Sequence, residues 1–252
     1  MGRPLRVIRP GRMPYREAWA HQRALAEQRK AGLIDDTLLC VEHDPVVTLG
    51  RDGKTHSLKL DPAGYAARGI ELVESDRGGD ATYHGPGQAV VYVIIDLKPD
   101  CKDIRKYVRR LEQAMIDTCA DFGLAATRFD GEPGVWLKDP WRKIGAIGAR
   151  VSRWVTHHGI AFNVQPDFEH FATIVPCGIA DKAVTGLARE LDRPVALDSV
   201  WDRLAGHIAA QFGRDLQPAV GIDVLDRGLD PVPATDWTDR AWGGAEVMET
   251  TP

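Results

Sequence analysis

The chain has 252 residues, 44% hydrophobic and 27% charged, an ordinary globular balance and long enough to bury a real core. Thirty-two basic residues against 36 acidic ones leave a net charge of −4, so no basic excess is available to neutralise phosphates and nucleic-acid binding is not expected. Cys40, Cys101, Cys119 and Cys177 lie far apart with no Cys-x-x-Cys pair, which argues against a zinc site or a disulfide framework and for reduced thiols.

The N-terminus carries no long apolar segment, and the longest apolar run is seven residues. No signal peptide and no membrane span are expected, and the location expected is cytoplasmic. Leu5 to Ile8 reads as a short strand. Pro14 suits the start of a helix whose stripe is Trp19, Ala20, Leu25 and Ala26 and which Gly32 stops. Leu38 to Glu42 is a strand, and His43-Asp44-Pro45 turns into Val46-Val47-Thr48-Leu49. Asp61 and Pro62 open a short helix to Arg68, and Ile70 to Val73 leads into the stretch from Arg77 to Gln88.

That stretch, Arg77-Gly78-Gly79-Asp80-Ala81-Thr82-Tyr83-His84-Gly85-Pro86-Gly87-Gln88, packs four glycines and a proline among polar side chains. No Gly-Lys-Ser/Thr follows, so it is not a P-loop, and a strand rather than a helix follows, so it is not a dinucleotide fingerprint. On its residues alone it is either a ligand-binding loop or a tight turn with a core histidine. Ala89 to Ile95, unbroken and rich in β-branched residues, predicts a strand buried on both faces.

Asp103 caps a long helix in which Ile104, Tyr107, Val108, Leu111, Met115, Cys119 and Phe122 recur at threes and fours, placing Cys119 in the core. Gly123 ends it. Strands are expected over 126–129, 135–138, 143–151 and 154–164, with turns at Asp139-Pro140 and Ser152-Arg153. A closing helix spans 197–212. Residues 1–220 are expected to form one α+β domain with a mostly antiparallel or mixed sheet, and 221–252 an irregular tail.

Alternation along the 154–164 strand puts His158, Ile160, Phe162 and Val164 on a core-like face and His157, Gly159, Ala161 and Asn163 on a small, polar one. The adjacent histidines then point apart, so no metal is expected there. On the preceding strand Gly145 shares the face of Lys143, and Ile144 takes the other. Cys177 stands between Pro176 and Gly178, neither of which builds regular structure. By residue type it is either a buried small hydrophobe or a nucleophile presented on a turn.

Four segments in order, Arg77–Gln88, Lys143–Arg150, His157–Val164 and Ile174–Ile179, together resemble the octanoyltransferase family of lipoate biosynthesis over about residues 5–215. The His43-x-Pro45-Val46 and Thr48-Leu49-Gly50-Arg51 patterns match it too. The resemblance implies the α+β fold of biotin and lipoate protein ligase catalytic domains, a mixed sheet flanked by helices. It implies an acyltransferase with Cys177 as nucleophile and Lys143 beside it. Substrate contacts are implied from Arg77, Gly78, Gly79, Asp80, Ala81, Thr82, Tyr83 and His84, from Ala146, Ile147 and Gly148, and from Gly159, Ile160 and Ala161. His84 and backbone near Gly178 are candidate oxyanion donors.

No cofactor is implied. The partners implied are octanoyl-acyl carrier protein as donor, and the lipoyl domains of 2-oxoacid dehydrogenases and the glycine cleavage H protein as acceptors, with the enzyme a monomer. Arg51, Arg142 and Arg150 are docking candidates by charge. The alternatives are an amidotransferase moving octanoyl or lipoyl groups between lipoyl proteins, an ATP-dependent lipoate ligase, and an inactive binder of lipoyl domains. The Gly-Arg-Gly-Arg loop of biotin ligases is absent.

Overall fold

The computed structural model of the protein describes residues 2–175 and 183–225. At its centre is the strand that follows the glycine-rich stretch, β6 (Gln88–Ile94), with every residue buried. Ala89, Val91 and Val93 enter one core, while Val90, Tyr92 and Ile94 enter another on the opposite face. This is the period-two division expected of a strand covered on both sides.

The other strands of the sheet are β1 (Arg3–Met13), β2 (Asp36–His43), β7 (Thr127–Phe129), β8 (Glu132–Leu137), β9 (Arg142–Ser152), β10 (Val155–Asn163), β11 (Ala183–Val184) and β12 (Arg214–Val220). Among the described residues they form a nine-stranded mixed sheet in the order β12-β1-β2-β6-β10-β9-β8-β7, with β11 beside β9. β2 and β12 run parallel to β1, and β11 runs parallel to β9. From β2 to β7 the neighbours are antiparallel.

Two helices, α3 (Ile104–Asp121) and α6 (Leu197–Phe212), pack on one face, and α1 (Tyr15–Lys30) packs on the other. The Asp103 carboxylate accepts from the Lys106 N–H at 3.0 Å, capping α3 as expected. Tyr107, Leu111, Met115 and Cys119 are buried along its stripe, whereas Ile104, in the first turn, is 51% exposed. Burial pushes the Cys119 thiol up to about 12, so Cys119 is packing and not chemistry.

Two expectations are revised. Strand β1 runs to Met13, well past Ile8, because a register shift between Ile8 and Gly11 takes up Pro10, which has no N–H to give the ladder. The second half of the glycine-rich stretch is a strand, not a loop. β5 (Ala81–His84) joins β3 (Val46–Leu49) and β4 (Glu71–Glu74) in a separate sheet ordered β4-β3-β5. Its core holds Val47, Leu49, Tyr65 and Tyr83. Residues 222–224 form a helical turn and Leu225 is buried in the α1 core. The remainder of the expected tail lies outside the described residues. Among the described residues no helix is long and apolar enough to cross a membrane.

Candidate active site

Where the small sheet faces the large one, a cavity of about 340 Å³ opens over β6, β10 and β9. Its lining holds most of the expected substrate residues: Arg77, Gly79, Asp80, Ala81, Thr82 and His84 from one side, and Ala146, Ile147, Gly148, Gly159, Ile160 and Ala161 from the other. Ile160 borders it while its side chain belongs to the helical core. Gly78 and Tyr83 do not line it. Tyr83 is fully buried in the small-sheet core with its phenol 3.3 Å from His170 Nδ1. Alternation along β5 explains this, since Thr82 and Tyr83 point opposite ways.

Arg77 is a brace. Its guanidinium donates to Thr48 Oγ1 at 3.0 Å, to the Thr48 carbonyl at 2.7 Å and to the Asp80 carbonyl at 2.6 Å. The Asp80 carboxylate accepts from the Ser57 hydroxyl at 2.6 Å. The loop is thus held in shape from within, and its glycines let strands come close. At Gly87 (φ +81°) a Cβ would meet the Gln165 carbonyl oxygen at 2.0 Å.

Lys143 lines the same cavity, as do half-buried Glu132 and exposed Pro133. It is 9% exposed, with Nζ 5.0 Å from the centre of the Trp136 ring. Val184 pairs in register with it across β9 and β11. Gly145, expected to clear space beside Lys143, instead aims its missing Cβ at Met115 of the helical core, 2.6 Å away. Cys177, with Pro176 and Gly178, lies outside the described residues.

Residues 14–209 match the family described as the lipoyl protein ligase A/B catalytic domain. The chain belongs to that family. Octanoyltransferase of Chloroflexus aggregans is 46% identical over 217 residues, covering 86% of this chain and 97% of its own. Octanoyltransferase of Mycobacterium tuberculosis is 49% identical over 201 residues, covering 79% and 84%. Among solved structures, a putative lipoate protein ligase from T. acidophilum with bound lipoic acid superposes with a TM-score of 0.71 at 19% identity, covering 89% of this chain and 91% of that one. A lipoate-protein ligase A bound with ATP gives 0.69 at 19%, covering 87% and 90%. The expected α+β ligase-like fold is therefore found.

In this member of the lipoyl protein ligase A/B family two histidines, His84 and His158, line the groove, and one breaks strand alternation. His158 has φ +56°, so its ring turns to the side of His157. His158 Nε2 donates to Asp76 Oδ1 at 2.6 Å, and His157 Nε2 lies 3.6 Å from Oδ2. The adjacent rings therefore converge instead of pointing apart, and the three ligand atoms lie within 4.8 Å of one another. Arg150 already sits on that carboxylate at 2.5 Å. Burial tends to raise Asp76, but the hydrogen bonds from His157 and His158 outweigh it and hold the carboxyl well below its usual range. Arg142 is likewise committed, forked onto Glu190 at 2.8 Å.

Tautomers follow from the partners. His43 Nδ1 faces the Met13 carbonyl at 2.8 Å, so it carries the proton, and Nε2 accepts from the Tyr92 hydroxyl at 2.7 Å. Gln88 gives its amide N–H to the Tyr83 carbonyl and to Asn163, so its oxygen accepts from His84 Nδ1 at 2.7 Å. Burial holds His84 well below the usual histidine value. The ring is neutral with its lone pair on Nε2, which cannot donate to an oxyanion. That corrects the expected role: His84 is an acceptor in this groove. Tyr15, Tyr92 and His158 also line the cavity and were missed. Tyr15 and Tyr92 come from distant segments with no local motif, and strand alternation had put His158 on the core-like face.

Burial holds His43 and His158 down at about 4, against about 6.5 in an unfolded chain. Between those values the unfolded state binds more protons, so stability falls as pH falls, by up to about 1.4 kcal/mol per pH unit for each imidazole. Thermal melts from pH 7.5 to 4.5 are expected to show this decline. His43→Gln is expected to flatten it by about one imidazole's share.

Proposed function

We propose that the protein transfers octanoyl groups through a thioester on Cys177. Octanoyl transfer in protein lipoylation, an acyltransferase reaction, follows from the family and from relatives of that name at 46–49% identity. The Cys177 thiolate attacks the thioester carbonyl of octanoyl-acyl carrier protein, and the carrier's thiolate leaves. The lysine amine of a lipoyl domain, on a 2-oxoacid dehydrogenase or the glycine cleavage H protein, then attacks the acyl-Cys. The Cys177 thiolate leaves and an amide forms. Thioester exchange is nearly even in energy and aminolysis runs downhill, so neither ATP nor a metal or cofactor is used. The setting proposed is a cytoplasmic monomer.

What carries this is the placement of Lys143: a nearly buried amine lining a groove floored by Ala146, Ala161, Gly148 and Gly159. Its neighbour Val184 is seven positions after Cys177 in the chain. As a cation, Lys143 favours the thiolate over a thiol of pKa about 8.5; neutral in the second step, it takes the incoming amine's proton. Two of the other thiols are poor alternatives, since burial pushes Cys40 and Cys119 up to about 12.

The test is intact mass after mixing with octanoyl-acyl carrier protein in the absence of ATP. One octanoyl group is expected on the wild type, released by hydroxylamine, and none on Cys177→Ser. An unmodified wild type, or a need for ATP, overturns the scheme.

A further inference from the structure

The two ends of the groove are unlike. On the face of the sheet that looks into it, the strand registers line up rows across β6, β10 and β9. Gln88 faces Asn163; Val90, Ala161 and Ala146 form the next row; Tyr92, Gly159 and Gly148 form the third. The two inner rows are floored on β10 and β9 by Ala or Gly alone, so a thin chain can lie along them. The end at Lys143 is bordered by half-buried Glu132 and exposed Pro133. At the other end Tyr15, Tyr92 and His158 are each at most 3% exposed.

Tyr92 is the large side chain of the third row, and its ring is pinned. Its hydroxyl donates to His43 Nε2 at 2.7 Å, and His43 is fixed in turn by the Met13 carbonyl. Beyond it, Arg150 and His158 close on Asp76. From Lys143 the middle row lies three residues along β9, and the third row five residues along. At about 3.4 Å per residue these are roughly 10 and 17 Å away. An extended eight-carbon acyl chain is about 9 Å from carbonyl to methyl, given carbon–carbon bonds of about 1.5 Å in a zigzag. With its carbonyl beside Lys143, its methyl reaches the middle row, toward which the Tyr92 ring leans from the third: the Tyr92 hydroxyl meets His43, which follows Val41, the register partner of Val90, by two residues.

We propose that Tyr92 is the gauge that sets acyl chain length, a fixed ring that stops a medium-length saturated chain and turns longer ones away. This rests on the groove holding the acyl group, as proposed above. A pinned aromatic wall discriminates well because an extra methylene cannot be accommodated without breaking the hydrogen bond to His43.

Free fatty acids test it without turnover. Calorimetry with octanoate, dodecanoate and tetradecanoate is expected to show that wild type prefers octanoate. Tyr92→Ala is expected to reverse that order, dodecanoate gaining about tenfold to a hundredfold as further methylenes are buried. Tyr92→Phe keeps the ring and is expected to keep the wild-type order. Should Tyr92→Ala fail to fold in a thermal melt, Ala146→Leu decides. It fills the middle row and is expected to weaken octanoate about tenfold relative to butanoate. Wild type binding dodecanoate as well as octanoate, or no acid at all, overturns the proposal. So does an unchanged length order in Tyr92→Ala, or in Ala146→Leu where that variant decides. If the expected order is found but Cys177 takes no octanoyl group from the carrier protein, the acyl-Cys scheme falls and the gauge stands.

Discussion

Lys143→Met is expected to slow octanoyl transfer by two to three orders of magnitude, about the contribution of a positioned acid–base group, with little change in melting temperature. Met keeps the aliphatic stem that packs by Trp136 and removes only the charge. The loss falls on both half-reactions, and pH separates them. An ammonium beside a thiol lowers its pKa, so removing it raises the pKa back toward about 8.5. Acylation of the variant should therefore climb as pH rises from 7 to 9, while the wild type, already thiolate, stays nearly level. Deacylation by a lipoyl-domain lysine should stay slow at every pH, because the proposed proton acceptor is gone. Quenched intact-mass time courses follow both steps. A variant that acylates at the wild-type rate at pH 7 would remove Lys143 from the mechanism.

Gly159→Ala is expected to destabilise the protein by about 3 kcal/mol, near the upper end for overpacking. For a domain of this size that is roughly a 10 °C drop in melting temperature. The added Cβ would stand 2.3 Å from the Val91 carbonyl oxygen and 3.1 Å from the Val93 nitrogen. Both are backbone atoms of the central strand, which cannot yield without disturbing the two cores on either side of it. Gly148→Ala, in the same row, is expected to lose only about 1 kcal/mol, since its Cβ would lie 3.1 Å from Arg77 Cδ and from the Gly78 carbonyl. Gly206→Ala, mid-helix in α6 with nothing within 4 Å, is expected to gain about 0.5–1 kcal/mol. Denaturant melts of the three variants check the order. A Gly159→Ala protein as stable as Gly148→Ala would show that β6 and β10 can part locally.

Some features were legible because they are written locally. The helix 197–212, the Asp103 cap and the doubly buried β6 each depend on near neighbours: an apolar period, a carboxylate three residues before its N–H, an unbroken β-branched run. The small floor of the groove was legible too, because alternation along β10 separates Gly159, Ala161 and Asn163 from Ile160 and Phe162. Alternation failed at His158, whose positive φ no neighbouring residue announces. Gly145 is the parallel case on β9, where a register irregularity between β8 and β9 turns its face to Met115.

The sequence by itself determined the long helices and the central strands, the lysine and cysteine motifs, and a glycine-lined surface for them, since each is set by residues close along the chain. Only the tertiary structure decided that Arg77 is a brace, that His84 is an acceptor, and that Tyr15, Tyr92 and His158 close the groove. Those roles depend on which hydrogen-bond partner each group meets, and the partners lie 29 residues away for Arg77 and Thr48, 49 for His43 and Tyr92, and 82 for His158 and Asp76. Distances of that kind are set by how the sheets stack, which no local pattern of residues encodes.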